Sequence, residues 1–460
     1  MRKLIILLVP GVSFAGGFAL SGIGSSGLAG GQAAVADVSD WTAVYWNPAG
    51  LADASRSAGF YFALVGTQGK ATTNTGIIGF DGPYTLKNYP IYSEPLTFFI
   101  PSFGVVVPTR NGTFGFAVYS PFGLGSKWDL YSMPIGYRVG RLDDYPKIDH
   151  ESSIGVTNIM FSYARQCMFF KNMKWGIALG PTYNQIYLRQ VELSVLNADG
   201  DSIPDLGYPF SLIPTDAKTK GSGWGFAVNF GMQFDFNKLK AGLAIHYNSS
   251  PNLNGTMELS VYKPYSPFYF NATRDSFFLG GIASSTANVS AVLPLPLIAD
   301  LGFSYKLSDK AKISARFSYQ GWNVFDTIMV NVSGLNPITG DSLEDVALVE
   351  NWKATYNIGL GLEYLYKGVP VRLGFVYDQS PVPDETFTPL LPDPGDKYIL
   401  TAGFDLHADN VVYGFNFEYF IMPERTVERP SGQNIQDIPG MPGTYSFNIF
   451  AFGVTASYRF

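Results

Sequence analysis

The sequence predicts an all-β membrane protein, an antiparallel up-and-down transmembrane β-barrel of about fourteen strands with a small N-terminal plug, or hatch, inside the lumen. Three observations predict it. Charge is sparse and aromatic residues are plentiful, yet no long apolar run appears. Segment after segment alternates with period two between a greasy face and a face of Gly, Ser, Asn and Thr. The links between these segments alternate strictly between short and long.

The composition excludes the commoner classes first. Charged residues make up 15% of the 460 residues, against about 25% in a soluble domain. Aromatic residues also reach 15%, and mean hydropathy is +0.08. A helical membrane protein would show runs of roughly 20 apolar residues, and none is present. In a barrel, lipid-facing and lumen-facing residues alternate and dilute the apolar signal. The formal net charge is −6 with no Lys/Arg cluster, so no nucleic-acid partner is expected. Cys167 is the single cysteine and falls in a short turn without a His or acidic neighbour, which reads as an incidental thiol. No His/Cys cluster supports a metal site, and no cofactor is expected. The run Gly22-Ile23-Gly24-Ser25-Ser26-Gly27 lacks the strand–helix setting of a phosphate loop.

Residues 1–15 read as a signal peptide. Arg2 and Lys3 give a positive start, Leu4 to Val9 an apolar core and Ser13-Phe14-Ala15 a small-residue cleavage site, so the mature chain is expected to start near Gly16. Residues 16–54 do not alternate and are rich in Gly, Ala and Ser. About forty residues cannot build a core of their own. Preceding the first strand, they suit a plug packed against a barrel wall. The barrel is expected over 55–460. Its strands are expected near 55–66, 97–108, 112–120, 152–166, 173–195, 217–236, 238–250, 284–306, 310–325, 346–366, 369–380, 397–407, 410–421 and 444–460.

The last of these is the clearest: Phe450, Phe452, Val454, Ala456, Tyr458 and Phe460 share one parity, and Ala451, Gly453, Thr455, Ser457 and Arg459 the other. Charges such as Asp300, Arg316, Glu363, Arg372 and Glu418 keep to the polar parity. On the lipid face each would cost about 2–4 kcal/mol at mid-membrane. Links after even strands are short, such as Thr109-Arg110-Asn111, Asn237 and Lys367-Gly368, and those after odd strands are long. That sorting marks a barrel with periplasmic turns and outer loops, in a bacterial cell outer membrane that the chain crosses many times. A soluble sandwich has no reason for it. The terminal Phe460 is similar to the signal that barrel-assembly machinery reads. Outer-membrane lipid is the surrounding partner, and a monomer is expected.

A family resemblance adds to this. Ser26-Gly27-Leu28-Ala29-Gly30, Ala33-Ala34-Val35-Ala36-Asp37 and above all Asn47-Pro48-Ala49-Gly50-Leu51 resemble the opening of the FadL-like outer-membrane transporters of long-chain fatty acids and aromatic hydrocarbons. Further islands follow in the expected order at Tyr119-Ser120-Pro121-Phe122-Gly123-Leu124, Tyr319-Gln320-Gly321-Trp322, Asn351-Trp352-Lys353-Ala354-Thr355-Tyr356 and Tyr377-Asp378-Gln379-Ser380-Pro381-Val382-Pro383-Asp384. The resemblance implies a fourteen-stranded barrel whose N-terminus reaches into an apolar site, is displaced by ligand, and lets ligand leave by passive diffusion through a gap in the wall. It places Asn47, Pro48, Ala49 and Gly50 in the hatch. The outer loops match least, so ligand identity transfers least well.

On this reading Phe18 and Leu20 are candidate apolar contacts of the site, or anchors of the plug. Asn47 before Pro48 reads chiefly as a fixed turn. Arg316 and Arg372 are read first as ion-pair partners in the lumen, and second as binders of a carboxylate head group. Two other classes compete with transport of a long-chain fatty acid or other hydrophobic small molecule. One is a general porin. The other is an outer-membrane lipid-acting enzyme, for which His150, His246 and His407 lie in no recognisable nucleophile motif. No catalytic residue is assigned.

Overall fold

A computed structural model describes residues 16–73, 85–86, 90–132, 139, 148–195, 212–391, 393, 395–428 and 440–460. The expected leader, residues 1–15, lies outside them, as do the middles of several long outer links. No described helix is long and apolar enough to cross a membrane; the crossing elements are strands.

Fourteen wall strands are present among the described residues, in the expected order. They are β1 (Ser57–Thr73), β2 (Leu96–Thr109), β3 (Gly112–Trp128), β4 (His150–Gln166), β5 (Met173–Val195), β6 (Leu212–Phe236) and β7 (Leu239–Asn248 with Asn252–Tyr262). Then follow β8 (Ile282–Val292 with Ile298–Lys306), β9 (Ala311–Gln320 with Thr327–Ser333), β10 (Val346–Val349 with Thr355–Tyr366), β11 (Val369–Asp378), β12 (Lys397–Ala408), β13 (Val411–Ile421) and β14 (Gly443–Arg459). Each pairs antiparallel with its neighbours. The sheet closes where β1 pairs with β14, from Ser57 opposite Arg459 to Thr73 opposite Gly443. Closure gives the first and last strands each other as partners, while the ladder between β2 and β3 runs only from Phe103 opposite Val118 to Thr109 opposite Gly112.

The turns carry the chemistry that tight hairpins need. Lys367 and Gly368 both have positive φ, 50° and 87°, between β10 and β11, as a two-residue hairpin demands. Asn237 and Asp409 adopt the same left-handed region at the turns after β6 and β12. Side chains follow the predicted parity. In β10, Tyr356, Ile358, Leu360 and Leu362 are each more than 40% exposed, whereas Asn357 between them is fully buried. A belt of that size facing water would be untenable, and it is the lipid-facing surface of the barrel.

Several elements differ from expectation. The strand expected over 284–306 is interrupted at 293–297 by Leu293-Pro294-Leu295-Pro296-Leu297, because proline has no N–H for the ladder. Its neighbours are interrupted at the same level: β7 at 249–251, β9 at 321–326 and β10 at 350–354. The strand expected to end at residue 120 instead runs on to Trp128, through a bulge at Ser120-Pro121 where the register with β4 shifts. The link expected over 251–283 holds the strand half Asn252–Tyr262 and a helix, Pro267–Thr273.

Residues 16–54 form two short helices, α1 (Ser25–Ala29) and α2 (Ala43–Trp46), and a 3-10 turn, Pro48–Asp53. They are almost wholly buried against inward-facing wall residues. Thr401 of β12 donates to Ala29 O at 2.8 Å. Trp41 donates to Ser457 of β14 at 3.1 Å. Asn229 of β6 donates to Val44 O at 3.1 Å. These contacts reach strands on several sides and place the segment within the barrel. Wall glycines permit the approach: a Cβ at Gly176 would overlap the Pro48 carbonyl, and one at Gly361 the Gly30 carbonyl. The Gly-rich polar parity of the strands is therefore a packing surface for backbone.

Candidate functional site

The site is built around the first described residues. Phe18 is fully buried. Its ring centroid lies 4.7 Å from Trp322, 5.5 Å from Phe325, 5.9 Å from Phe122 and 5.9 Å from Trp352. Trp322 and Phe325 come from the break in β9, Trp352 from the break in β10, and Phe122 from just beyond the bulge in β3. Leaving the ladder is what lets Trp322, Phe325 and Trp352 turn inward together, beside Phe122 of the β3 ladder. Edge-on and tilted pairs of this kind add to plain apolar burial.

The backbone here behaves as an extra strand fragment. Ala19 bridges to Phe122. Leu20 N donates to Pro121 O at 2.9 Å, and Gly123 N donates to Phe18 O at 2.8 Å. The bulge in β3 leaves backbone groups without a neighbour in the wall, and the N-terminal segment supplies partners from inside. Phe18 lies in the aromatic cage, and Leu20, two residues on, is buried beside Pro121. Gly16 N donates to Asp378, and Gly17 N donates to Asp393 Oδ2 at 2.7 Å. Lys397 Nζ lies 2.8 Å from Asp393 and 3.6 Å from Asp378, all three being buried.

Asn47 holds the other end of the segment. Its Oδ1 accepts from Ala49 N at 3.1 Å and caps the 3-10 turn. Its Nδ2 donates to Val35 O at 2.8 Å, to Met232 O on β6 at 2.9 Å and, more weakly, to Leu243 O on β7 at 3.4 Å. Pro48 starts the turn with its missing N–H at no cost. Gly50 N donates to Asn47 O at 2.9 Å, and a Cβ on Gly50 would overlap the Val38 carbonyl. The four residues form one anchor, tying the segment to two wall strands. Ion pairs reinforce it. Asp37 lies 2.6 Å from Lys240 and 2.9 Å from Lys312, and Asp53 pairs with Lys174. Burial would raise the Asp37 pKa, but the two lysines prevail and hold the carboxyl below its usual range.

The two candidate arginines sit deeper toward the turns. Arg316 donates to Asp300 at 2.9 Å and to Ser318 at 3.2 Å, and reaches Gln32 at 3.4 Å. Arg372 lies 2.7 Å from Glu363 and 2.8 Å from Asp405. Neither touches the Phe18 cage, and both are neutralised by wall carboxylates. Arg316 with Asp300 and Arg372 with Glu363 thus pair across the lumen face, in keeping with the cost of an isolated charge. Of the histidines, His246 Nε2 is 3.1 Å from Asp300 and His150 Nδ1 is 2.9 Å from Asp149. Sequence reasoning did not single out Trp322, Phe325 and Phe122 as partners of Phe18. The signal was present in Gly321-Trp322 and Asn351-Trp352, where large aromatics follow residues that favour leaving a strand.

A closed barrel with a lipid-facing belt, an N-terminal segment packed within it and an apolar cage around that segment's end is the architecture of an outer-membrane β-barrel protein. The chain belongs to the family described as outer membrane protein transport protein (OMPP1/FadL/TodX), whose model matches residues 6–460. It is 26% identical over 296 residues to a long-chain fatty acid transport protein of Escherichia coli, covering 62% of this chain and 59% of that one. It is 22% identical over 245 residues to a 47 kDa outer membrane protein of Pasteurella multocida, covering 53% and 52%. The chain thus spans little more than half the length of these curated relatives. Among solved structures, a Pseudomonas aeruginosa FadL homologue superposes with a TM-score of 0.72 at 18% identity, over 96% of this chain and 100% of that one. The Ralstonia pickettii toluene transporter TbuX does so with a TM-score of 0.60 at 16% identity, over 96% and 99%. At that identity these likenesses describe the fold.

Proposed function

We propose that the protein carries hydrophobic compounds, foremost long-chain fatty acids, across the outer membrane by passive diffusion, with residues 16–54 as the plug and Phe18–Leu20 as its moving end. The observation that carries this reading is the double role of that end: its side chain fills the aromatic cage while its backbone seals the bulge in β3.

Energetics explain why such a device is needed. Each CH₂ leaving water gains about 0.8 kcal/mol, so fifteen gain on the order of 12 kcal/mol. Capture is easy and release is hard. Displacing Phe18 costs about 1.5–3 kcal/mol of burial, and its two bonds to β3 about 0.5–1.5 kcal/mol each. Ligand that takes the cage spends roughly 3–6 kcal/mol on displacement, which lowers its affinity by about two to four powers of ten. The same displacement unseals the bulge, so occupancy and opening are linked. The anchor at Asn47 and the Asp37 and Asp53 ion pairs keep the rest of the plug in place, so the exit favoured is sideways through the wall near Ser120-Pro121.

Aromatic hydrocarbons are the second reading, because the cage itself is aromatic and a relative by fold is a toluene transporter. Uptake of radiolabelled oleate and toluene by cells lacking their own transporters, with and without this chain, tests both. Oleate uptake that depends on the chain is expected. Uptake of neither compound above the background refutes the proposal.

A further inference from the structure

Gly16 and Gly17 sit in a buried socket whose charges do not balance. Gly16 N donates to Asp378, and Gly17 N to Asp393 Oδ2. These two carboxylates share one lysine: Lys397 Nζ is 2.8 Å from Asp393 and 3.6 Å from Asp378. All three residues are at most 1% exposed. Two neighbours leave the imbalance as it is. Arg425 donates to the Asp393 carbonyl at 3.0 Å, but its charge is matched by Asp384 at 2.7 Å. Asp396, the residue before Lys397, is itself a carboxylate and accepts from Tyr377 Oη at 2.6 Å and Ser380 N at 3.0 Å. A buried carboxylate without a counter-charge is costly, so the socket is one cation short.

The shape of the socket identifies that cation. A Cβ built on Gly16 would lie 2.9 Å from Gln320 Oε1, 3.2 Å from Gln379 O and 3.5 Å from Asp378 Oδ1. One on Gly17 would strike Trp352 at 2.6 Å and Trp322 at 3.0 Å. Oxygens therefore surround Gly16, and neither position has room for a side chain. A charge fits here only on the backbone nitrogen. As an amide, that nitrogen donates once and is neutral; as an ammonium it donates three times and carries the charge that two carboxylates and one lysine leave unmatched.

We propose that the leader is cut between Ala15 and Gly16, and that the ammonium so formed on Gly16 completes the socket and ties the end of the plug to Asp378 and Asp393. The step is a hydrolysis by a leader peptidase. Water adds across the Ala15–Gly16 amide and the C–N bond breaks. Ala15 leaves as a carboxylate, and its acid proton passes to the Gly16 amine, the forms both groups take at neutral pH. Processing is thus a structural event: it creates the ion that holds Phe18–Leu20 against β3. The inference holds whichever compound the barrel carries.

The test begins with the chain purified from outer membranes. The mass of its N-terminal peptide should place Gly16 first, with a free amine; a mature chain that starts at any other residue overturns the inference. The chain is then unfolded in urea, modified at its α-amine and refolded, one sample acetylated at mildly acidic pH and the other dimethylated. The two groups are similar in size, but acetylation removes the charge and dimethylation keeps it. Exchange protection of the Leu20 and Gly123 amides, which are bonded across the contact with β3, should fall roughly a hundredfold on acetylation and stay close to the unmodified value on dimethylation. Protection that survives acetylation overturns the ionic role, because acetylated Gly16 keeps its N–H. Equal loss in both samples overturns it too, by making the socket a matter of size. Where a modified chain does not refold, Asp378→Asn in the membrane-purified chain decides by sign. With the ammonium present the variant loses a counter-ion and protection falls; unchanged or increased protection means that the socket held a surplus carboxylate and no ammonium.

Discussion

Replacing Phe18 by alanine separates the two roles the residue has been given, because they predict opposite signs. As a competitor for the cage, the ring must be displaced before ligand enters. It is fully buried among four aromatic rings, a burial that contributes about 1.5–3 kcal/mol. Removing it leaves the cage for ligand and lowers the cost of entry by that amount. Ligand affinity should therefore rise roughly ten- to hundredfold. As a mere anchor of the plug, the ring would stabilise a fold that ligand also needs, and its loss would leave affinity unchanged or weaken it. The assay is titration of purified chain in nanodiscs with a brominated fatty acid, following the fluorescence of Trp322 and Trp352, with heat-modified gel mobility to check that the barrel is closed. An intact F18A barrel whose affinity is unchanged or lower refutes the competition argument.

Other perturbations read out neighbouring parts of the site. Asn47→Ala removes one cap and the bonds to β6 and β7, and should loosen the plug by about 1–3 kcal/mol, seen as faster proteolysis or exchange within 30–54 with the barrel ladders unaffected. Arg316→Met leaves Asp300 buried without its main counter-charge, which should cost about 3–5 kcal/mol in stability; a stable variant that had lost only fatty-acid affinity would instead make Arg316 a head-group contact. Because Asp37 has a lowered pKa in the folded state, its contribution is fully present above the unfolded value of about 3.9. That contribution is lost as pH falls through the folded value. Plug protection should thus weaken below about pH 4, and Asp37→Asn should remove that step; an unchanged acid profile in the variant would exclude Asp37 as its source.

Much of the barrel was legible because its physics is local. Alternation in β14 and the sorting of links need only a lipid face, a lumen face and tight inner turns, and each leaves a mark in the sequence. The Gly-rich parity was readable as crowding, though not as the specific meeting of Gly176 with Pro48 or Gly361 with Gly30. The interruptions in β7 to β10 were harder. Pro294 and Pro296 announce one of them, but the break at Glu350–Ala354 contains no proline, and its alignment with the others depends on register. The Phe18 cage was not readable for the same reason: its rings come from residues 122, 322, 325 and 352, which only the closed sheet brings together. Arg316 and Arg372 were correctly placed on the lumen face, while the identity of their partners followed from cross-strand register.

The central claim is that ligand and the N-terminal segment compete for one apolar cage and thereby unseal β3. Site-resolved hydrogen exchange of the Leu20 and Gly123 amides, with and without saturating oleate in nanodiscs, addresses it most directly. The account predicts that both amides lose protection on saturation, since each is bonded across the Phe18–Leu20 and β3 contact, while ladder amides of β9 and β10 keep theirs. Leu20 and Gly123 remaining fully protected with the cage occupied would contradict it.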